Sequence, residues 1–127
     1  MERQAAIDLI LDHYENPRHY GTLAAPPFTG QGVNPGCGDV VRLSVRLDDA
    51  GRVADIAFEG QGCTISIAAA SLLTEMVLGR TLDEALALDV SALSGALGEG
   101  LVTGRLACVS LGLRVLYEGS ERYRNGG

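Results

Sequence analysis

A chain of 127 residues, 46% hydrophobic and 20% charged, can bury one core but not two, so one domain spanning residues 1–127 is expected. Its formal charge of −6 argues against nucleic acid, whose phosphates are bound by clustered Lys and Arg. All ten basic residues are arginine, which leaves neither a P-loop lysine nor a Schiff-base lysine and so excludes nucleotide hydrolysis of that type and pyridoxal phosphate chemistry. Neither a signal peptide nor an apolar run of membrane-spanning length is read, which predicts a cytoplasmic protein with no membrane contact. Three cysteines, an odd number, suit reduced thiols or a metal site better than a disulfide framework.

In chain order, Ile7, Ile10, Leu11 and Tyr14 fall at helical spacing, and Asn16-Pro17 stops the helix that carries them. His13 and His19, the two histidines, are assigned to surface or capping positions and given no chemistry. From 21 to 32 the sequence is rich in Gly, Pro and Thr and reads as an edge strand running into a mobile loop that delivers Cys37. Gly30-Gln31-Gly32 and Gly60-Gln61-Gly62 fail as phosphate cradles, lacking the continuation to a second glycine or a lysine, and read as flexible approaches to a site.

Val41, Leu43, Val45 and Leu47 alternate with polar residues, and after Asp48-Asp49-Ala50-Gly51 so do Ala54, Ile56 and Phe58, which predicts a half-buried antiparallel hairpin. Asp39 enters its first strand and Cys63 follows its second, so the hairpin brings the two to one end of the sheet. A helix capped by Thr64 or Ser66 follows, with Ile67, Leu72, Leu73, Met76 and Val77 inward until Gly79. Thr81-Leu82-Asp83-Glu84 is a capping box opening a short helix, and Leu86, Leu88, Val90, Leu93 and Leu97 supply core. Gly95, Gly98, Gly100 and Gly104 punctuate a predicted loop before a final helix over residues 106–122, with Val109, Leu113 and Leu116 on one face and Cys108 in its first turn.

The chemistry centres on Asn34-Pro35-Gly36-Cys37-Gly38-Asp39, which sets a thiol and a carboxylate two positions apart between glycines. Alone it is a turn signal with a small buried hydrophobe. Cys63 and Cys108, however, each open a predicted helix, where amide N–H groups and the macrodipole stabilise a thiolate. Three thiolates and a carboxylate make four anionic ligands, the number wanted by tetrahedral zinc or by one edge-bound iron-sulfur cluster. No C-x-x-C pair occurs, so the four can converge only in the folded chain. Asp39 has the alternative reading of a turn-forming Asp bonded to nearby backbone N–H groups.

These motifs, with Gly60-Gln61-Gly62-Cys63-Thr64-Ile65-Ser66, Arg105-Leu106-Ala107-Cys108 and, near the start, Ile10-Leu11-Asp12-His13-Tyr14 and Asn16-Pro17-Arg18, resemble the iron-sulfur cluster assembly scaffolds of the IscU/SufU/NifU amino-terminal family over nearly the whole chain. The resemblance implies an α+β fold, a small antiparallel three-stranded sheet with helices packed on one face. It implies a scaffold, not an enzyme, that accepts sulfur from a cysteine desulfurase, assembles a transient [2Fe-2S] cluster on Cys37, Asp39, Cys63 and Cys108, and passes it to apo iron-sulfur proteins. Cys37, on a mobile segment, is the candidate persulfide acceptor.

The alternative is a SufU-type sulfurtransferase partner of the desulfurase, with Zn2+ on the same four ligands. Arg105 would support the site, offsetting its surplus negative charge and holding Asp39 by a hydrogen bond. Arg three positions before the last Cys is similar to the SufU branch, whereas the IscU branch has His where Ala107 stands. Gly100-Leu101-Val102-Thr103-Gly104 replaces the Leu-Pro-Pro-Val-Lys segment that the IscU branch offers to its dedicated Hsp70, which argues against that partnership. The interval between the second and third cysteines is IscU-like in length.

Overall fold

The computed structural model of the chain describes residues 3–25, 28–36 and 38–125. Helix α1 (Arg3–Glu15) ends at Asn16-Pro17 as expected. It buries Ala6, Ile10 and His13, while Leu11 and Tyr14 are about two-fifths exposed. The inward stripe is therefore rotated from the apolar one, because His13 finds a hydroxyl partner on the facing helix and Ala6 packs closely against Gly98. His13 is buried, not at the surface.

Three antiparallel strands, β1 (Phe28–Asn34), β2 (Asp39–Leu47) and β3 (Val53–Gln61), form a sheet in that order. The hairpin turn over residues 48–52 is tied by the Asp48 carboxylate, whose Oδ1 accepts from the Ala50 and Arg52 N–H groups. Val41, Leu43 and Val45 are buried as the alternation predicts, but on β3 the inward residues are Val53, Ile56 and Phe58, with Ala54 exposed. Arg46 pairs with Asp55 and Leu47 with Val53, so Ala54 is the extra residue of a bulge. On the far side of β3, residues 19–21 add a short parallel edge through the Phe58 N–H to His19 O and the Gly21 N–H to Phe58 O.

Helix α2 (Thr64–Val77) takes Cys63 as its N-cap, without a side-chain cap from Thr64 or Ser66. Helix α3 (Leu82–Leu86) opens on the predicted capping box of Thr81 and Glu84. The glycine-punctuated stretch is not a loop. Helix α4 (Val90–Leu97), capped by Asp89, leads at Gly98 (φ 93°) into α5 (Glu99–Val102), and a 3-10 turn over Thr103–Arg105 continues into α6 (Leu106–Arg124). Leu93, Leu97 and Val102 are buried there, and that apolar gain outweighs the low helix propensity of the glycines between them.

Helices α2 and α6 cover the sheet, α6 crossing β1 and β2. At that crossing Gly30 and Gly32 are packing residues within β1, not flexible approaches. A Cβ on Gly30 would lie 2.7 Å from the Val115 carbonyl oxygen, and one on Gly32 2.6 Å from a Val115 methyl. Within the continuous helical stretch Glu99–Arg124, one 18-residue window has a mean hydropathy of 1.3, enough by length and composition alone to cross a bilayer. Here Val109, Leu111, Val115 and Leu116 lie in the core against the sheet and α2.

Candidate metal centre

One end of the sheet gathers the chemistry. Asn34, the last residue of β1, pairs with Asp39, the first of β2, and the Gly38 N–H donates to the Asn34 carbonyl across the intervening turn. Gln61, at the end of β3, pairs with Val40, so the chain leaving β3 passes directly over Asp39. Gly62 makes that passage possible. Its φ is 151°, and a Cβ there would lie 2.8 Å from Asp39 Cγ. The carboxylate therefore sits against bare backbone, and Oδ1 accepts the Cys63 N–H at 2.9 Å.

Cys108 arrives from the opposite side, in the first turn of α6, which the β1 glycines allow close to the sheet. Asp39 and Cys108 are buried and Cys63 is half-buried, and the ligand atoms of the three lie within 4.8 Å of one another. Cys37 lies outside the described residues. Arg105 is exposed at the end of the 3-10 turn, and the carboxylate takes its hydrogen bonds from other groups.

Those groups are residues whose part the sequence did not disclose. Asn34 Nδ2 lies 3.4 Å from Asp39 Oδ2 and 3.7 Å from Cys108 Sγ. Ser66, 1% exposed, places Oγ 3.4 Å from Cys63 Sγ and is close enough to Asp39 to favour its ionised form. The one legible signal was spacing, since Ser66 stands one helical turn after Cys63. Burial pushes the Asp39 carboxyl up, but hydrogen bonds from the Cys63 amide, Ser66, Cys108 and Asn34 outweigh it and hold the carboxyl below its ordinary value. Burial likewise pushes the Cys63 thiol up, and hydrogen bonds from Ser66 and Cys108 outweigh both that and the Asp39 charge, leaving the thiol below its ordinary range. Asp39 is the one buried acidic residue among the described residues, and no arginine is buried with it. Fully buried charge is ordinarily paired with a cation or a metal.

The two histidines lie away from this end. His13 Nδ1 is 2.7 Å from Ser71 Oγ and its Nε2 3.3 Å from Glu75, while His19, in the left-handed region at φ 57°, places Nδ1 2.9 Å from Thr74 Oγ1.

The family model described as NifU-like N terminal domain matches residues 6–126. The chain belongs to the NifU-like N-terminal domain family. Among curated relatives, the iron-sulfur cluster assembly scaffold protein IscU of Azotobacter vinelandii is 47% identical over 81 residues, covering 61% of this chain and 63% of that one. The scaffold protein IscU 1 of Archaeoglobus fulgidus is 38% identical over 104 residues, covering 82% of this chain and 67% of the relative. These matches thus span about two thirds of the relatives' length. Among solved structures, a SufU protein from Fervidobacterium islandicum superposes at a TM-score of 0.76 with 24% identity, over 88% of this chain and 93% of that one. The three-stranded α+β architecture and the family implied by the cysteine motifs are both borne out.

Proposed function

We propose that the chain is an iron-sulfur cluster assembly scaffold, acting as one domain in the cytoplasm, with a [2Fe-2S] cluster as its cargo. The observation that carries the reading is the convergence of Asp39, Cys63 and Cys108 within 4.8 Å from three separate elements, with the carboxylate buried and no cationic partner for it among the described residues. Soft thiolates with one carboxylate suit zinc or iron-sulfur centres, and the harder oxygen is the ligand at which such a centre opens most readily. Cys37 completes the donor set as the persulfide acceptor. Its thiolate attacks the outer sulfur of a persulfide on a cysteine desulfurase, the donor's S–S bond breaks, and the donor leaves as a thiolate. Iron enters from outside the chain and the cluster passes to apo iron-sulfur proteins. Arg105 is exposed three positions before Cys108, and on this reading its guanidinium would offset the surplus negative charge of the loaded site.

The second reading, a zinc-bound SufU-type sulfurtransferase partner, is favoured by Arg105 three positions before Cys108 and by Ala107 where a histidine ligand would stand. Zn2+ would then be held by the same four side chains, keeping the thiolates ionised and oriented. The protein purified anaerobically is expected to hold about one zinc per chain, or to accept one reconstituted cluster visible by absorption, and to gain a persulfide on incubation with a desulfurase and cysteine. Neither metal nor cluster on three reduced thiols would overturn the site. Zinc alone, with persulfide formation, would favour the second reading.

A further inference from the structure

The donor atoms of the site are held by two neutral side chains, Asn34 at the carboxylate and one thiol and Ser66 at the other thiol. Asn34 Nδ2 lies 3.4 Å from Asp39 Oδ2 and 3.7 Å from Cys108 Sγ, and the Ser66 hydroxyl lies 3.4 Å from Cys63 Sγ, on the helix turn whose first amide holds Asp39 Oδ1. Among the described residues neither side chain hydrogen-bonds to backbone. Cys63 caps α2 with no side-chain cap bond, and the Asn34 backbone carbonyl accepts the Gly38 N–H across the turn after β1. With Oδ1 fixed by the Cys63 N–H, the carboxylate has one oxygen tied to backbone and the other turned toward Asn34 and Cys108.

We propose that Asn34 and Ser66 are positioning residues that hold Asp39, Cys63 and Cys108 as a preformed ligand set, an inference that rests on reading those three as metal ligands. Three anionic donors held within 4.8 Å repel one another. A neutral N–H or O–H placed between a carboxylate and a thiolate lowers that repulsion without competing for the metal, as a cation would. It also fixes which carboxylate oxygen faces the thiols. Partners of this kind around metal ligands, when removed, cost about 10- to 100-fold in affinity.

The test uses the full chain, reduced, metal-free and anaerobic, titrated with Co2+ and then with Zn2+ against a chromophoric chelator. The wild type should give thiolate-to-cobalt charge transfer and the d–d bands of a four-coordinate site. Asn34→Ala and Ser66→Ala should each bind Zn2+ about 10- to 100-fold more weakly, with altered cobalt bands and an unchanged unfolding midpoint for the metal-free chain. Ser66→Ala keeps the test valid if Asn34→Ala fails to fold, because alanine is the better helix former at that position. Wild-type affinity and spectra in the variants would overturn the inference, as would an affinity loss matched by an equal loss of metal-free stability, which would assign the pair to folding. Failure of the wild type to bind Co2+ would instead overturn the ligand reading beneath it.

Discussion

Helix α2 meets two clusters of buried polar groups, and they differ in what their polarity is for. Two turns into the helix, Ser71 Oγ accepts the Arg18 N–H at 2.8 Å and faces His13 Nδ1, while the Thr74 hydroxyl donates to the Ser71 carbonyl at 2.7 Å and faces His19. Donors and acceptors match there, and the result is a clasp that holds residues 13–21 onto α2 and the edge of β3. At the helix start, Ser66 and Asn34 supply neutral donors to one carboxylate and two thiols, all potential anions with no buried cation among the described residues. Buried polarity by itself is common and structural. A surplus of negative charge over donors is what marks a place for a metal.

The largest effect is expected from Gly62→Ala, which should break the ligand end and spare the clasp. The substitution combines a φ of 151° with a Cβ 2.8 Å from Asp39 Cγ, so the chain must shift or the carboxylate must leave. A loss of about 3 kcal/mol in urea unfolding is expected, together with loss of Zn2+ binding, while the Arg18 amide keeps its hydrogen-exchange protection. Zinc binding at wild-type affinity would show that the carboxylate does not need the bare backbone beneath it.

How far each cluster could be read from sequence follows the same division. Asp39, Cys63 and Cys108 were legible because their placement depends on a two-residue period, a hairpin and two helix starts, all local signals. The bulge at Ala54 was not, because Val53 and Ala54 are both apolar and the pairing partner decides which one turns inward. Burial of His13 was hidden because it depends on Ser71, 58 positions away. Gly30 and Gly32 looked like flexibility until α6 was laid across them, and Asn34 acquired a role only through its register with Asp39.

A reciprocal pair of serine variants sharpens the contrast within one helix. Ser71→Ala leaves the Arg18 N–H without its acceptor and His13 Nδ1 without its partner, for an expected cost of about 2 kcal/mol in stability, with Zn2+ affinity unchanged. Ser66→Ala is expected to do the reverse. Measured side by side by urea unfolding and zinc competition, equal stability losses in the two variants would erase the distinction between clasp and site.

The smallest effect separates the two ends by pH. Burial lowers the His13 pKa below its ordinary 6.5, the Arg18 charge adds to that, and Glu75 and Asp12 oppose it only in part. Because Arg18 already donates to Ser71 Oγ, the serine hydroxyl is free to donate to Nδ1, which leaves Nε2–H for Glu75 and fits a neutral ring. The folded state therefore binds fewer protons than the unfolded chain once the pH falls below about 6.5, so stability is fully present above that value and declines as pH drops toward the lowered pKa. Asp39 behaves differently, since a carboxyl held below 3.8 keeps its contribution until far more acid conditions. Urea midpoints for the metal-free chain at pH 7.5 and 5.5 should fall more in the wild type than in His13→Gln, by less than the Ser71→Ala effect. Equal falls in the two proteins would mean that His13 titrates as it does in water, and the clasp would then be a solvated contact instead of a closed one.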